Sequence, residues 1–190
     1  GVTEHSADTH LVWQRAASFA ARMHAAHIRK DGVTPYFAHP VRVAMVVRDL
    51  FGCDDPAALA AAFLHDTLED TPADYDDLAE AFGSDIADLV SALSQNMLLP
   101  ERDRDRDYEA RLAGASWRAR LVKLADVFDN ACDLETRPDA ASSSVLRRHV
   151  GKMNRAVALA KADAADHPET ARAIDEVERL RQTLTDRGRG

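Results

Sequence analysis

Apolar positions along the chain recur at helical spacing, and no stretch shows the strict alternation of a half-buried strand. Leu11, Val12, Phe19 and Met23 fall near one face of a first helix, which the pattern predicts from a cap at Ser6 to about Ile28. The run Asp31-Gly32-Val33-Thr34-Pro35 breaks it. Pro40 suits a first helical position, with Val41, Val43, Ala44, Val46 and Val47 following. Asp55-Pro56 opens a third helix that should run to about Leu68, and Thr71-Pro72 punctuates. A short helix from Asp74 to Gly83 comes next, then one capped by Ser84 that carries Ile86, Leu89, Val90 and Leu93. Ser116 should cap a longer helix with Leu121, Val122, Leu124, Ala125 and Phe128. Two C-terminal helices are expected over about 142–187. With no internal repeat and no low-complexity linker, the expectation is an all-α fold in which residues 1–190 form one compact helical bundle.

Composition narrows the function classes. Of 190 residues, 46% are apolar and 29% charged, as in a globular protein with a real core. Lys plus Arg is 24 and Asp plus Glu is 32, a net charge of −8, so no nucleic-acid partner is expected. Cys53 and Cys132 stand far apart, which excludes a disulfide framework and a thiolate zinc site. No apolar run reaches the roughly 20 residues of a membrane span, and the polar start Gly1-Val2-Thr3-Glu4-His5 carries no signal pattern. The expected location is cytoplasmic, without a membrane partner. Pro100 to Arg111 alternates in charge and reads as a solvated helix face, with an anion site lined by Arg102, Arg104 and Arg106 as the alternative.

Chemistry enters where polar residues interrupt apolar runs. His65-Asp66 closes the eight apolar residues Ala57 to Leu64, and Asp126 sits inside Leu121-Val122-Lys123-Leu124-Ala125-Asp126-Val127-Phe128. An ionised carboxylate there is costly unless paired, and a metal ion is one way to offset it. His39 precedes Pro40 and should project from a turn. Any one of these is compatible with a satisfied core polar group; together, imidazole and carboxylate suit a divalent ion such as Mn, Fe, Co or Zn. Glu69-Asp70 follows His65-Asp66 at i, i+4, which would place all four on one helical flank, with the acids as candidates to activate a water. Acids at a helix C-terminus are otherwise disfavoured by the macrodipole.

The chain thus contains Arg29-Lys30-Asp31-Gly32, Pro35-Tyr36-Phe37-Ala38-His39-Pro40, His65-Asp66-Thr67-Leu68-Glu69-Asp70-Thr71, and Lys123-Leu124-Ala125-Asp126 with Asn130. In this order the boxes resemble the HD phosphohydrolase superfamily. More narrowly they resemble the hydrolase domain of RelA/SpoT homologues and the small alarmone hydrolases of the metazoan SpoT-homologue type. The resemblance covers roughly Phe19 to Leu134. It implies that His39, His65, Asp66 and Asp126 hold one divalent ion, usually Mn2+, and that Glu69 and Asp70 activate or position the attacking water. It further implies that Arg29, Lys30 and Asn130 hold a nucleotide, and that the 3′-pyrophosphate of ppGpp or pppGpp leaves to give GDP or GTP.

Two positions depart from that pattern. Met97 stands where the family often has Lys, in the loop Gln95 to Pro100, and Val127 stands where Arg or Lys commonly follows the aspartate. Arg102 or Arg104 could replace the missing cation. The departures keep other substrates in play: an adenine alarmone such as ppApp, the 2′-phosphate of NADPH, or a nucleoside monophosphate. A non-catalytic nucleotide sensor is a further alternative, against which the retention of Glu69, Asp70 and every ligand speaks. His24 and His27 lack an acid motif, and His5, His10, His149 and His167 read as surface. Trp13 and Trp117 read as core or interface, Tyr36 as packing under the site, and Cys53 and Cys132 as inert.

Overall fold

Asp55 begins the segment on which the rest is assembled. Its carboxylate accepts from the Ala58 N–H at 2.9 Å and Pro56 occupies the first turn, so helix α3 (Pro56–Leu64) starts cleanly. Every residue from Ala58 to Leu64 is buried. A helix that is apolar all round belongs in the middle of a fold, and four alanines in that run let neighbouring helices approach closely. In this computed structural model, α3 packs against α1 (Thr3–Met23), α2 (Ala38–Met45), α6 (Ser84–Ala92) and α8 (Trp117–Cys132). The structure describes the backbone of residues 3–136 and 142–188 and the side chains of 12–134 and 142–188.

The remaining helices are α4 (Thr67–Asp70), α5 (Tyr75–Phe82), α7 (Glu101–Gly114), α9 (Ser143–Ala160) and α10 (Pro168–Arg187). Asp74 and Asp77 form a reciprocal capping box at the start of α5, and Gly83, at φ 88°, ends it. Helices α8, α9 and α10 pack on one another and close one side of the bundle. One continuous cluster of buried apolar side chains runs from Ala16 on α1 to Leu184 on α10. Among the described residues there is no strand beyond a single bridge between Ile28 and Pro35. No helix among them is long and apolar enough to cross a membrane.

The all-α expectation holds, while several boundaries differ. The first helix begins at Thr3 and stops at Met23 rather than near Ile28. The segment beyond it folds back, with Arg29 N–H donating to Thr34 O at 2.8 Å and Tyr36 N–H to His27 O at 2.8 Å. Asp31 pins this loop by accepting from the Val33 and Thr34 N–H groups. Helix α2 begins at Ala38, two residues before Pro40, and continues into a π-helical turn over Val46–Leu50. The third helix ends at Leu64, not Leu68, because the Leu64 carbonyl accepts the Thr67 hydroxyl at 2.7 Å and Asp66 adopts φ −101°, ψ −1°. His149, expected at the surface, is buried, and His167 stacks on Trp117 at 4.0 Å. Trp13 packs on Phe63. The side chains of His5 and His10 lie outside the described residues.

Asp55 also pairs with Arg118 at 2.7 Å, which ties the start of α3 to the start of α8. Asp55→Ala should therefore lower unfolding stability in urea by about 1–2 kcal/mol, the range of a lost helix cap. Burial opposes the Asp55 carboxylate, but the Arg118 bond and the cap hold its pKa below the ordinary value. Its contribution is therefore complete above the unfolded carboxylate range near about pH 4 and is lost as pH falls through the lower folded value. The variant and wild-type stabilities should converge under acid.

Candidate metal centre and cleft

The break after Leu64 sets the geometry of the site. In one unbroken helix His65 and Asp66 would point about 100° apart. Here His65 ends α3 and Asp66 precedes α4, and the two side chains converge, with His65 Nε2 3.0 Å from Asp66 Oδ2. The single helical flank expected for His65, Asp66, Glu69 and Asp70 is thus replaced by a turn and a short helix. His39 from α2 and Asp126 from α8 enter the same point. His39 Nε2 lies 3.1 Å from Asp126 Oδ1, 3.2 Å from His65 Nε2 and 3.7 Å from Asp66 Oδ2. His65 Nε2 lies 3.5 Å from Asp126 Oδ1. Bonds of about 2.0–2.2 Å to one ion would space its ligand atoms about 3–3.6 Å apart, so the donor set fits a single divalent cation, with His39, His65 and Asp126 as a buried trio.

The outer atoms of both imidazoles are tied. His65 Nδ1–H donates to Ala62 O at 2.7 Å, and His39 Nδ1–H donates to Asp129 Oδ2 at 2.7 Å. Each bond turns the Nε2 lone pair toward the centre. Arg42 holds Asp129 in turn, with bonds of 2.8 and 3.0 Å. The Tyr36 hydroxyl donates to Asp66 Oδ2 at 2.5 Å, a direct contact rather than packing beneath the site. Lys123 Nζ donates to Asp126 Oδ2 at 2.9 Å and Asn130 Nδ2 to Asp126 Oδ1 at 2.8 Å. Sequence reasoning missed Asp129 and Arg42. The available signal was an acid three residues after Asp126, on the same buried helix face.

Charge is concentrated at this point. Burial opposes the imidazolium of His39, yet the Asp126 and Asp129 carboxylates hold its pKa up; His65 is raised against burial by Asp66 and Asp126. Burial also opposes the Lys123 ammonium, which the charge of Asp126 keeps well up. The centre therefore draws positive charge inward. Glu69, half-buried beside it, accepts from Gln95 N–H at 3.1 Å, and burial raises its carboxyl pKa. Asp70 is exposed and lines neither cleft; partial desolvation and the charges of Asp66 and Glu69 push it up to about 6.

Two clefts meet over the cage. The first, about 270 Å³, is lined by His39, Asp66, Asp126 and Glu69 together with Tyr108, Lys152 and Arg155. The second, about 480 Å³, is lined by Arg29, Lys30, Asn130, Arg148, His149 and Lys152. Arg29 is braced by Asp133 at 2.6 Å and by Asn130 Oδ1 at 3.1 Å, and Lys30 is exposed. Asn130 thus links the second cleft to the metal cage. Arg102 and Arg106 project into solvent beside Asp103, and Arg104 donates to Leu99 O, so none of the three lines either cleft. Met97 is half exposed, and Val127 is buried at the second cleft.

Asp129 touches the cage only through His39. Asp129→Ala should leave the fold largely helical but weaken divalent-metal affinity about 10- to 100-fold, the usual scale for a lost ligand-orienting partner. Metal titration alongside circular dichroism checks this, and an unchanged affinity would show that His39 needs no orienting carboxylate.

Three comparisons place the chain among known proteins. Residues 16–158 match the HD domain family model. The Xenopus tropicalis protein named guanosine-3′,5′-bis(diphosphate) 3′-pyrophosphohydrolase MESH1 is 39% identical over 131 residues, covering 68% of this chain and 73% of that protein. The Homo sapiens protein of the same name is 41% identical over 120 residues, covering 63% of this chain and 67% of its own length. A solved structure described as a metazoan ortholog of SpoT that hydrolyzes ppGpp superposes with a TM-score of 0.75 at 29% identity, covering 90% of this chain and 95% of that one. The chain belongs to the HD-domain family, in the group that contains the MESH1 pyrophosphohydrolases.

Proposed function

We propose that this protein is a metal-dependent 3′-pyrophosphohydrolase acting on ppGpp or pppGpp, with water as co-substrate and GDP or GTP plus pyrophosphate as products. The observation that carries the reading is the convergence of His39, His65, Asp66 and Asp126 beside Glu69, at the meeting of two clefts whose walls carry cations. Relatives at about 40% identity are named for this reaction. Residues 1–190 are read as one hydrolase domain, which the continuous apolar cluster among the described residues supports. Its site is cytoplasmic on this reading.

The four ligands would hold one Mn2+. Bound there, such an ion neutralises phosphate charge and raises the acidity of water. The protein's own groups do the rest. Glu69, raised by burial into a stronger base than a solvated carboxylate, takes the proton of the water that attacks the phosphorus next to the ribose 3′-oxygen. The bond from that phosphorus to the 3′-oxygen breaks, and the oxygen leaves as the hydroxyl by taking the proton that Glu69 removed from the water, which regenerates the carboxylate. Asp70, which feels the charges of Asp66 and Glu69, helps to orient the water. Arg29, Lys30 and Asn130 hold the nucleoside and its 5′-phosphates in the second cleft. Tyr36 and Lys123 keep the two ligand carboxylates in place.

Incubation of the purified protein with ppGpp and Mn2+ should release GDP and pyrophosphate. Orthophosphate from NADPH or a nucleoside monophosphate, with none of these products, would move the assignment to another phosphohydrolase; tight ppGpp binding without turnover would indicate a sensor. Asp66→Ala should lose metal and activity together, and stoichiometric manganese in that variant would remove Asp66 from the ligand set. Glu69→Gln should retain metal while kcat falls by about 10²–10⁴, the range for general acid–base catalysis. Near-normal turnover would show that another group is the base.

A further inference from the structure

Helix α7 presents a group that the metal cage does not use. The Tyr108 hydroxyl is buried, and among the described residues no acceptor for its proton stands in hydrogen-bond geometry. Buried hydroxyls are nearly always satisfied, and an orphan calls for an explanation. Tyr108 lines the first cleft together with Asp126 and Glu69. The Lys123 ammonium sits 5.3 Å from the ring centroid and donates to Asp126; toward the phenol oxygen it can act only as a donor, so the hydroxyl's own proton is left without an acceptor. Burial pushes the phenol pKa up, so the hydroxyl keeps its proton and acts as a donor at working pH.

The surroundings specify what it donates to. Lys152 and Arg155 of α9 line the same wall of the cleft. Glu109, an acid on that wall, faces Arg155 at 3.3 Å. The loop before α7 presents Met97, which carries no charge, and the Lys and Arg side chains lining this cleft come from α8 and α9. A donor beside two cations, above a metal cage, is a site for an anionic acceptor.

We infer that the Tyr108 hydroxyl is a substrate contact, donating a hydrogen bond to a nonbridging oxygen of the pyrophosphoryl group on the wall formed with Lys152 and Arg155. The inference rests on the reaction proposed above and extends it to a residue outside the family boxes. No bond to Tyr108 forms or breaks; it holds the group that departs. Its proton has no acceptor in the free protein, so removing the hydroxyl should weaken the ligand without weakening the fold.

Tyr108→Phe in the manganese-loaded protein tests this by calorimetric titration with inorganic pyrophosphate, paired with thermal melting and metal content. The expected result is an affinity about 10- to 100-fold weaker, the worth of a hydrogen bond to a charged group. Tm should be unchanged or higher and manganese retained, and kcat/KM for ppGpp should fall by a similar factor. An unchanged affinity overturns the contact. So does a loss of affinity accompanied by a lower Tm or lost metal, because the hydroxyl would then serve the fold. A wild type that binds no pyrophosphate overturns it as well. A wild type that binds pyrophosphate through Tyr108 yet releases none from ppGpp overturns the reaction and leaves the contact standing.

Discussion

Two ionisable carboxylates converge on two imidazoles inside a helical bundle, each imidazole Nε2 3.0–3.7 Å from both carboxylates, and most of the surrounding polar structure follows from that constraint. Asp66 and Asp126 cannot be buried as bare anions without large cost, so each has donors from elsewhere in the chain: Tyr36 for Asp66, Lys123 and Asn130 for Asp126. The imidazoles are held from behind by Ala62 O and by Asp129, which Arg42 holds in turn. These partners come from α2, α3, α8 and the loop before α2. The packing of the bundle and the shape of the cage are therefore the same problem, solved once.

The break at His65-Asp66 makes this possible. Helix α3 carries the chain to the centre because Ala58 to Leu64 is apolar on every face. Stopping there, with the Thr67 hydroxyl satisfying the Leu64 carbonyl, turns Asp66 back toward His65. The short helix that follows sets Glu69 beside the cage and leaves Asp70 exposed. One local irregularity thus places His65, Asp66, Glu69 and Asp70, which a continuous helix would have spread around its circumference.

Charge is partitioned in space. The chain carries a net charge of −8, yet the two clefts gather Arg29, Lys30, Lys123, Arg148, Lys152 and Arg155. The second cleft, where five of these cations face only Asp126 and Asp133, is a basic pocket in an acidic protein and focuses an anionic ligand onto one place while the remaining surface repels it. The helices after residue 142 contribute to this directly: α9 closes the bundle on one side and supplies basic side chains to both clefts. An alternating-charge helix, α7, instead spends its arginines on its own acids and on the preceding loop.

Much of this was legible along the chain. Helical periodicity with caps at Asp55, Asp74 and Ser116 gave the all-α architecture, and polar residues embedded in apolar runs singled out His65, Asp66 and Asp126. Those signals are local: a cap, a period and a charge in the wrong environment are visible without knowing what lies across the core. The end of α3 was not legible, because both His65 and Asp66 tolerate a helix and only a hydroxyl two residues later redirects the backbone. Asp129, Arg42 and the contribution of α9 were not legible either. An acid and an arginine look like surface residues until α2 and α8 are laid side by side, and Lys152 joins Lys30 and Asp126 only when helices far apart in sequence close on one cleft. Residue identity determined which groups could hold a cation; long-range packing decided which atoms met.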